Sequence, residues 1–181
     1  MFVQIENTPN PNTLKFLPGA PVSKAGPMEF TNKKETTNEL VRNLLSVNGV
    51  VMVFLGDDFI TVKKNDNLSW NDMKNSIITL IDDYYSQGRN FVLDKELKSK
   101  KENIQDNEIV LKIIEILDSK IRPAVARDGG DIKFKSFEKG IVKVELQGSC
   151  SGCPSSIMTL KQGVQNLLCH YVPEVKEVEA L

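Results

Sequence analysis

The sequence predicts an α+β protein of two small domains, ββαββα and then αββαβ, joined by a flexible polar linker. Three observations predict it. Short apolar runs come in pairs around turn residues, the mark of hairpins. Longer stretches repeat apolar residues at spacings of three and four, the mark of helices with one buried face. Between two such sets lies a run too polar to build a core. The expected boundaries are 1–87 for the first domain, 88–107 for the linker and 108–181 for the second domain.

In the first domain, Phe2-Val3-Gln4-Ile5 reads as a strand. Asn7 to Asn12 is dense in turn residues, and its two prolines forbid regular pairing. This Asn/Pro segment is read as a turn between strands, with a partner-docking surface as the other option. Thr13 to Leu17 is a second strand, and Pro18 to Pro27 a Pro/Gly-rich loop. Thr36 and Thr37 precede Leu40, Val41, Leu44, Leu45 and Val47, a helix with an N-cap and one apolar face. Asn48-Gly49 ends it. Val50 to Leu55 and Phe59 to Val62 flank Gly56-Asp57-Asp58, a hairpin signal. Ser69 caps a second helix whose Trp70, Met73, Ile77, Leu80, Ile81 and Tyr84 share a face, so Trp70 is expected in the core.

From Lys95 to Asn107 only Leu97 and Ile104 are apolar and seven residues are charged, hence the linker. Beyond it, Ile109, Val110, Ile113, Ile114, Leu117 and Ile121 make a helix that Pro123 is expected to stop. Arg127 to Asp131 reads as a loop. Ile132 to Phe137 and Ile141 to Leu146 are strands around a Lys139-Gly140 turn. Gly148 to Cys153 is a loop, and Pro154 fits a first helical position. Ile157, Leu160, Val164, Leu167, Leu168 and Tyr171 form that helix's apolar face. Val175 to Val178 reads as a last edge strand. So small a domain gains from a partner or a metal.

Composition excludes several classes. The 181 residues carry a net charge of −1 with scattered basic residues, which argues against a nucleic-acid partner. No stretch approaches the ~20 apolar residues that span a bilayer, so no membrane partner is expected. The first residues have neither a basic n-region nor an apolar h-region, and they are not an Arg-rich transit peptide. The chain is therefore expected to be intracellular and soluble, unless a leader was removed. One histidine leaves little material for acid–base catalysis, so no enzyme is expected. Three cysteines fit a disulfide framework poorly.

The chemistry is expected at Cys150 and Cys153. Their two-residue gap lets both sulfurs point at one centre, and Ser151 and Gly152 leave that centre uncrowded. The helix from Pro154 aims its free N–H groups at the loop, which is expected to lower the thiol pKa and favour the thiolate, the form that binds soft metals. Two sulfurs are half of what a zinc site or an iron–sulfur cluster takes. Cys169 lies sixteen residues beyond Cys153, on the order of 24 Å along a helix, so it cannot complete the set. Two chains around a two-fold axis supply four ligands. A cluster held this way is released when the chains part, which suits a carrier. A redox dithiol is the sharper rival, since it too places a CxxC at a helix start. Against it, the strands before Cys150 read as an antiparallel hairpin. On spacing alone, iron–sulfur and zinc remain open.

Cys169 is read as a partly exposed bystander, His170 as a helix C-terminal residue, and Asp128 and Asp131 as turn and strand-start residues rather than a carboxylate pair.

Arg122-Pro-Ala-Val-Ala-Arg-Asp-Gly-Gly-Asp131, followed by Leu146-Gln-Gly-Ser-Cys-Ser-Gly-Cys-Pro-Ser-Ser156, closely resembles the NifU C-terminal (Nfu) domain. Thr8-Pro-Asn-Pro-Asn-Thr-Leu-Lys-Phe16 resembles the N-terminal domain of the Nfu proteins of mitochondria and alphaproteobacteria. The resemblance implies a scaffold or carrier of a 4Fe–4S cluster, bridging two subunits through Cys150 and Cys153. It implies a homodimer when cluster-loaded, recipient apoproteins, and upstream assembly factors. It moves iron–sulfur ahead of zinc; a thiol–disulfide oxidoreductase is the alternative.

Overall fold

The structure is a computed structural model that describes residues 2–93, 108–152 and 154–181. Cys153 and 94–107, most of the expected linker, lie outside the described residues. The chain divides into two compact units, Met1–Lys98 and Ser99–Leu181.

The first unit is a five-stranded sheet under two helices. Its strands are β1 (Gln4–Asn7), β2 (Thr13–Leu17), β3 (Met28–Phe30), β4 (Val50–Leu55) and β5 (Ile60–Lys64), in the order β1-β2-β5-β4-β3 with every pair antiparallel. Leu14 and Phe16, Val53 and Leu55, and Ile60 and Val62 sit two apart on their strands, so each pair faces the same side. Against that side pack Leu40, Val41 and Leu44 of α1 (Glu39–Leu44), and Met73, Ile77 and Ile81 of α2 (Trp70–Ser86). Each such side chain stabilises the fold by roughly 1.5–3 kcal/mol when fully buried.

The cap of α1 is Asn38, not the threonines before it. Its Oδ1 accepts from the Val41 N–H at 3.1 Å, while Thr36 Oγ1 accepts from the Asn38 N–H at 3.0 Å. The sequence pattern carries no signal for β3, which follows the Pro/Gly-rich loop. Trp70 is half-buried rather than core, and its Nε1–H donates to the Pro11 carbonyl at 3.1 Å.

The Asn/Pro segment is tied down by its own unit. Asn10, 3% exposed, accepts from the Asn12 N–H through Oδ1 at 3.0 Å. Lys64 binds Asn12 twice, Nζ to Oδ1 and N–H to the carbonyl, each at 2.9 Å. Residues 88–93, expected in the linker, also belong here. Val92 is buried in the core, its N–H donates to the Val22 carbonyl at 2.8 Å, and Leu93 bridges Ser23. Gly88 with φ 78° turns the chain out of α2 so that this return is possible.

The second unit places α3 (Glu108–Ile116), a π-turn (Leu117–Ile121) and α4 (Arg122–Arg127) before β6 (Gly130–Glu138), β7 (Ile141–Gly148), α5 (Pro154–Tyr171) and β8 (Glu177–Ala180). β6 and β7 are antiparallel, and β8 joins β7 in parallel. Ile113, Leu117, Ile121 and Val125 pack with Ile132, Val142, Val144 and Leu146 of the sheet and with Val164 and Leu168 of α5.

Pro123 does not stop the first helix. The π-turn lets the Arg122 N–H reach back to the Leu117 carbonyl, and Pro123 then enters the first turn of α4, where its missing N–H costs nothing. The last strand lies two residues later than expected. Gln165 reaches from α5 to β8, where its Oε1 accepts the Val178 N–H at 3.1 Å.

Candidate functional site

The loop that carries Cys150 grows out of the end of the β6–β7 ladder. Gly130 and Gly148 are its last pair. Gly129 (φ 82°), Gly148 (φ 68°) and Gly152 (φ 73°) adopt left-handed backbone that a side chain would strain. Between the latter two, Ser151 donates twice to the Gly148 carbonyl, from N–H at 3.2 Å and from Oγ at 2.9 Å. Ser149 bonds the neighbouring loop, its N–H to the Gly129 carbonyl at 3.2 Å and its Oγ–H to the Asp128 carbonyl. Asp128 thus serves the site through its backbone.

Cys150 is turned inward. It is 5% exposed and packs with the core of the second unit. Behind its sulfur stands Gly130: a Cβ there would lie 2.9 Å from Sγ and 2.5 Å from the Gln147 carbonyl oxygen. Burial pushes the Cys150 thiol up to about 11; the Ser149 hydroxyl, 3.8 Å from Sγ, pulls it back down, and the negative charges of Asp128 and Asp131 raise it further. This corrects the expectation of a thiol pKa lowered by α5: at Cys150, desolvation outweighs the helix. The thiolate expectation for Cys153 lies outside the described residues.

Asp131, read from sequence as a strand-start residue, is 3% exposed and paired. Arg122 grips it with both arms of its guanidinium, Nε to Oδ1 at 2.8 Å and Nη2 to Oδ2 at 3.1 Å. That carboxylate holds Arg122 above its ordinary pKa. Arg122 Nη1 also reaches Asp118 Oδ1 at 3.1 Å.

The other cysteine stays away. Helix α5 runs unbroken from Pro154 to Tyr171, so Cys169 lies on the order of 22 Å from its start. His170 stacks edge-on against Tyr171, ring centres 4.9 Å apart. Among the described residues, no group of three or more His, Cys, Asp or Glu side chains is gathered as a metal site. No described helix is long and apolar enough to cross a membrane. Spacing singles out Cys150 as a candidate. Gly130 and Arg122 carry no such local signal, because strand register and helix docking bring them near it.

Two families match the chain in tandem. Residues 3–88 match the family described as scaffold protein Nfu/NifU N terminal, and residues 113–179 match the NifU-like domain. Over 99% of the chain, it is 48% identical to the human NFU1 iron–sulfur cluster scaffold homolog, mitochondrial, and covers 71% of that protein. It is 46% identical, again over 99% of its length, to NifU-like protein 4, mitochondrial, of Arabidopsis thaliana, and spans 65% of that relative. A NifU-like protein from Saccharomyces cerevisiae, solved by NMR, is 27% identical at a TM-score of 0.48, covering 53% of this chain and 87% of that one.

Proposed function

The chain belongs to the Nfu/NifU-like scaffold family, and from that premise we propose that it carries a 4Fe–4S cluster on Cys150 and Cys153, shared with a second copy of itself, and delivers it to apoproteins. The observation that carries this reading is the shortage of sulfur: the loop at the start of α5 offers two thiols, while α5 takes Cys169 to its far end. Two chains meeting at this loop make up the four ligands a cluster takes, and their parting releases it.

The proposed role is a carrier and not an enzyme. Against the dithiol alternative, the strands that lead to Cys150 form an antiparallel hairpin rather than a βαβ unit. Coordination of a cargo metal drives off the thiol proton. The first unit is proposed to contact recipients and upstream assembly factors. The proposed setting is a compartment that keeps thiols reduced, the bacterial cytoplasm or the mitochondrial matrix.

Anaerobic reconstitution with iron and sulfide tests the reading, followed by Mössbauer spectroscopy and by iron and sulfide analysis. About four irons and four sulfides per two chains are expected, both lost in Cys150→Ala and in Cys153→Ala. A full cluster on a single chain, or a colourless monomer with disulfide-reductase turnover, overturns it.

A further inference from the structure

We propose that Arg122 and Asp131 are positioning residues for the Cys150 sulfur, acting through Gly130; the inference rests on the carrier reading above. Asp131 is almost wholly buried, and both of its oxygens are taken by one guanidinium. A carboxylate gripped by a two-armed fork has a single orientation, which a point charge would not impose. Arg122 is itself fixed where the π-turn meets α4. The clamp therefore ties the first residues of β6 to that helical junction.

Gly130 is the next residue back along the chain, and its Cα is the wall behind the sulfur. It leaves no space for even a methyl group between itself, Sγ and the Gln147 carbonyl. A shift of Asp131 moves that wall, and a shift of the wall re-aims the sulfur. Four sulfurs from two chains must meet one cluster, and such constellations work within about 0.5 Å of their proper places. The clamp is a support one layer behind the ligand, of the kind whose loss lowers metal affinity by about 10- to 100-fold.

The test compares cluster lifetime in the presence of a ferrous chelator for the reconstituted full chain and three variants. Arg122→Lys keeps the charge and removes the fork. Asp118→Ala removes the exposed contact of Arg122 and leaves the clamp. Val164→Ala weakens the core of the second unit nearly three turns along α5 from its start. Lifetime is expected to fall about ten-fold in Arg122→Lys and to stay near wild type in the other two. An unchanged lifetime in Arg122→Lys, or an equal fall in Val164→Ala, overturns the inference. Asp131→Asn asks the same question from the other partner if Arg122→Lys does not fold.

If the wild-type chain takes up no cluster, the carrier reading fails on its own. The clamp is then decided in metal-free protein, by the rate at which iodoacetamide alkylates Cys150, read by mass spectrometry. A rate raised several-fold in Arg122→Lys alone supports positioning; equal rates in wild type and Arg122→Lys, or an equal rise in Val164→Ala, overturn it.

Discussion

Gly130 stands directly opposite Gly148 at the end of the β6–β7 ladder, and each is a glycine for its own reason. Gly148 holds left-handed backbone, whereas Gly130 makes room for a sulfur. Gly130→Ala should therefore destabilise the second unit by about 1–3 kcal/mol, the usual cost of overpacking a core. Denaturant unfolding with probes in that unit checks this. A change within about 0.5 kcal/mol of wild type would contradict the close approach.

Cys169 should be dispensable. Helix α5 carries it about four turns away from the Cys150 loop, and it packs only partly against the core. Iron and sulfide per chain in reconstituted Cys169→Ser are expected to equal the wild-type values. Loss of cluster there would mean that α5 does not separate the thiols as its length requires.

In the first unit, Asn10→Ala should unravel the Asn/Pro turn. Its side chain is buried and accepts the Asn12 N–H, which would be left unsatisfied. The expected cost is about 1–3 kcal/mol. Unfolding monitored by Trp70 fluorescence reports it directly, because Trp70 donates to Pro11 in the same turn.

Acid should weaken the second unit through Glu145. The hydrogen bond from Lys135 is the main cause that holds its carboxyl below the ordinary value; burial opposes it, and Gln147 adds a smaller lowering. A folded-state pKa that is depressed means stability present above the unfolded value and lost as the pH falls through the folded one. The unit's melting temperature should drop below about pH 4.3, the ordinary glutamate value. In Lys135→Met the drop should be shallower. Identical acid profiles for the two proteins would remove Glu145 from the account.

Elements whose signal is local were legible in the sequence. Both helices of the first unit, its β4–β5 hairpin, the β6–β7 hairpin and α5 follow from spacing and turn residues alone. What failed depended on partners far along the chain. β3 is three residues long after a Pro/Gly-rich stretch and exists because β4 has an edge to pair. Residues 88–93 look like linker until Val22 and Asn38 offer them partners, the latter by donating from Nδ2 to the Val92 carbonyl at 2.6 Å. Pro123 reads as a stop because nothing in a local pattern announces a π-turn. At the site, Cys150 was legible by spacing, but its inward turn was not. The sulfur's surroundings come from β6 and from the core beneath it, so burial reversed the expected direction of its pKa.

Gln165 takes the one backbone donor of Val178 that β7 leaves over. A strand with a backbone donor taken by its own helix is a poorer template for a strand of another molecule, a common route to permanent aggregation. For a molecule proposed to meet its twin briefly and then let go, this matters. The donor that Gln165 covers leaves less of β8 open to a joining that would be hard to undo.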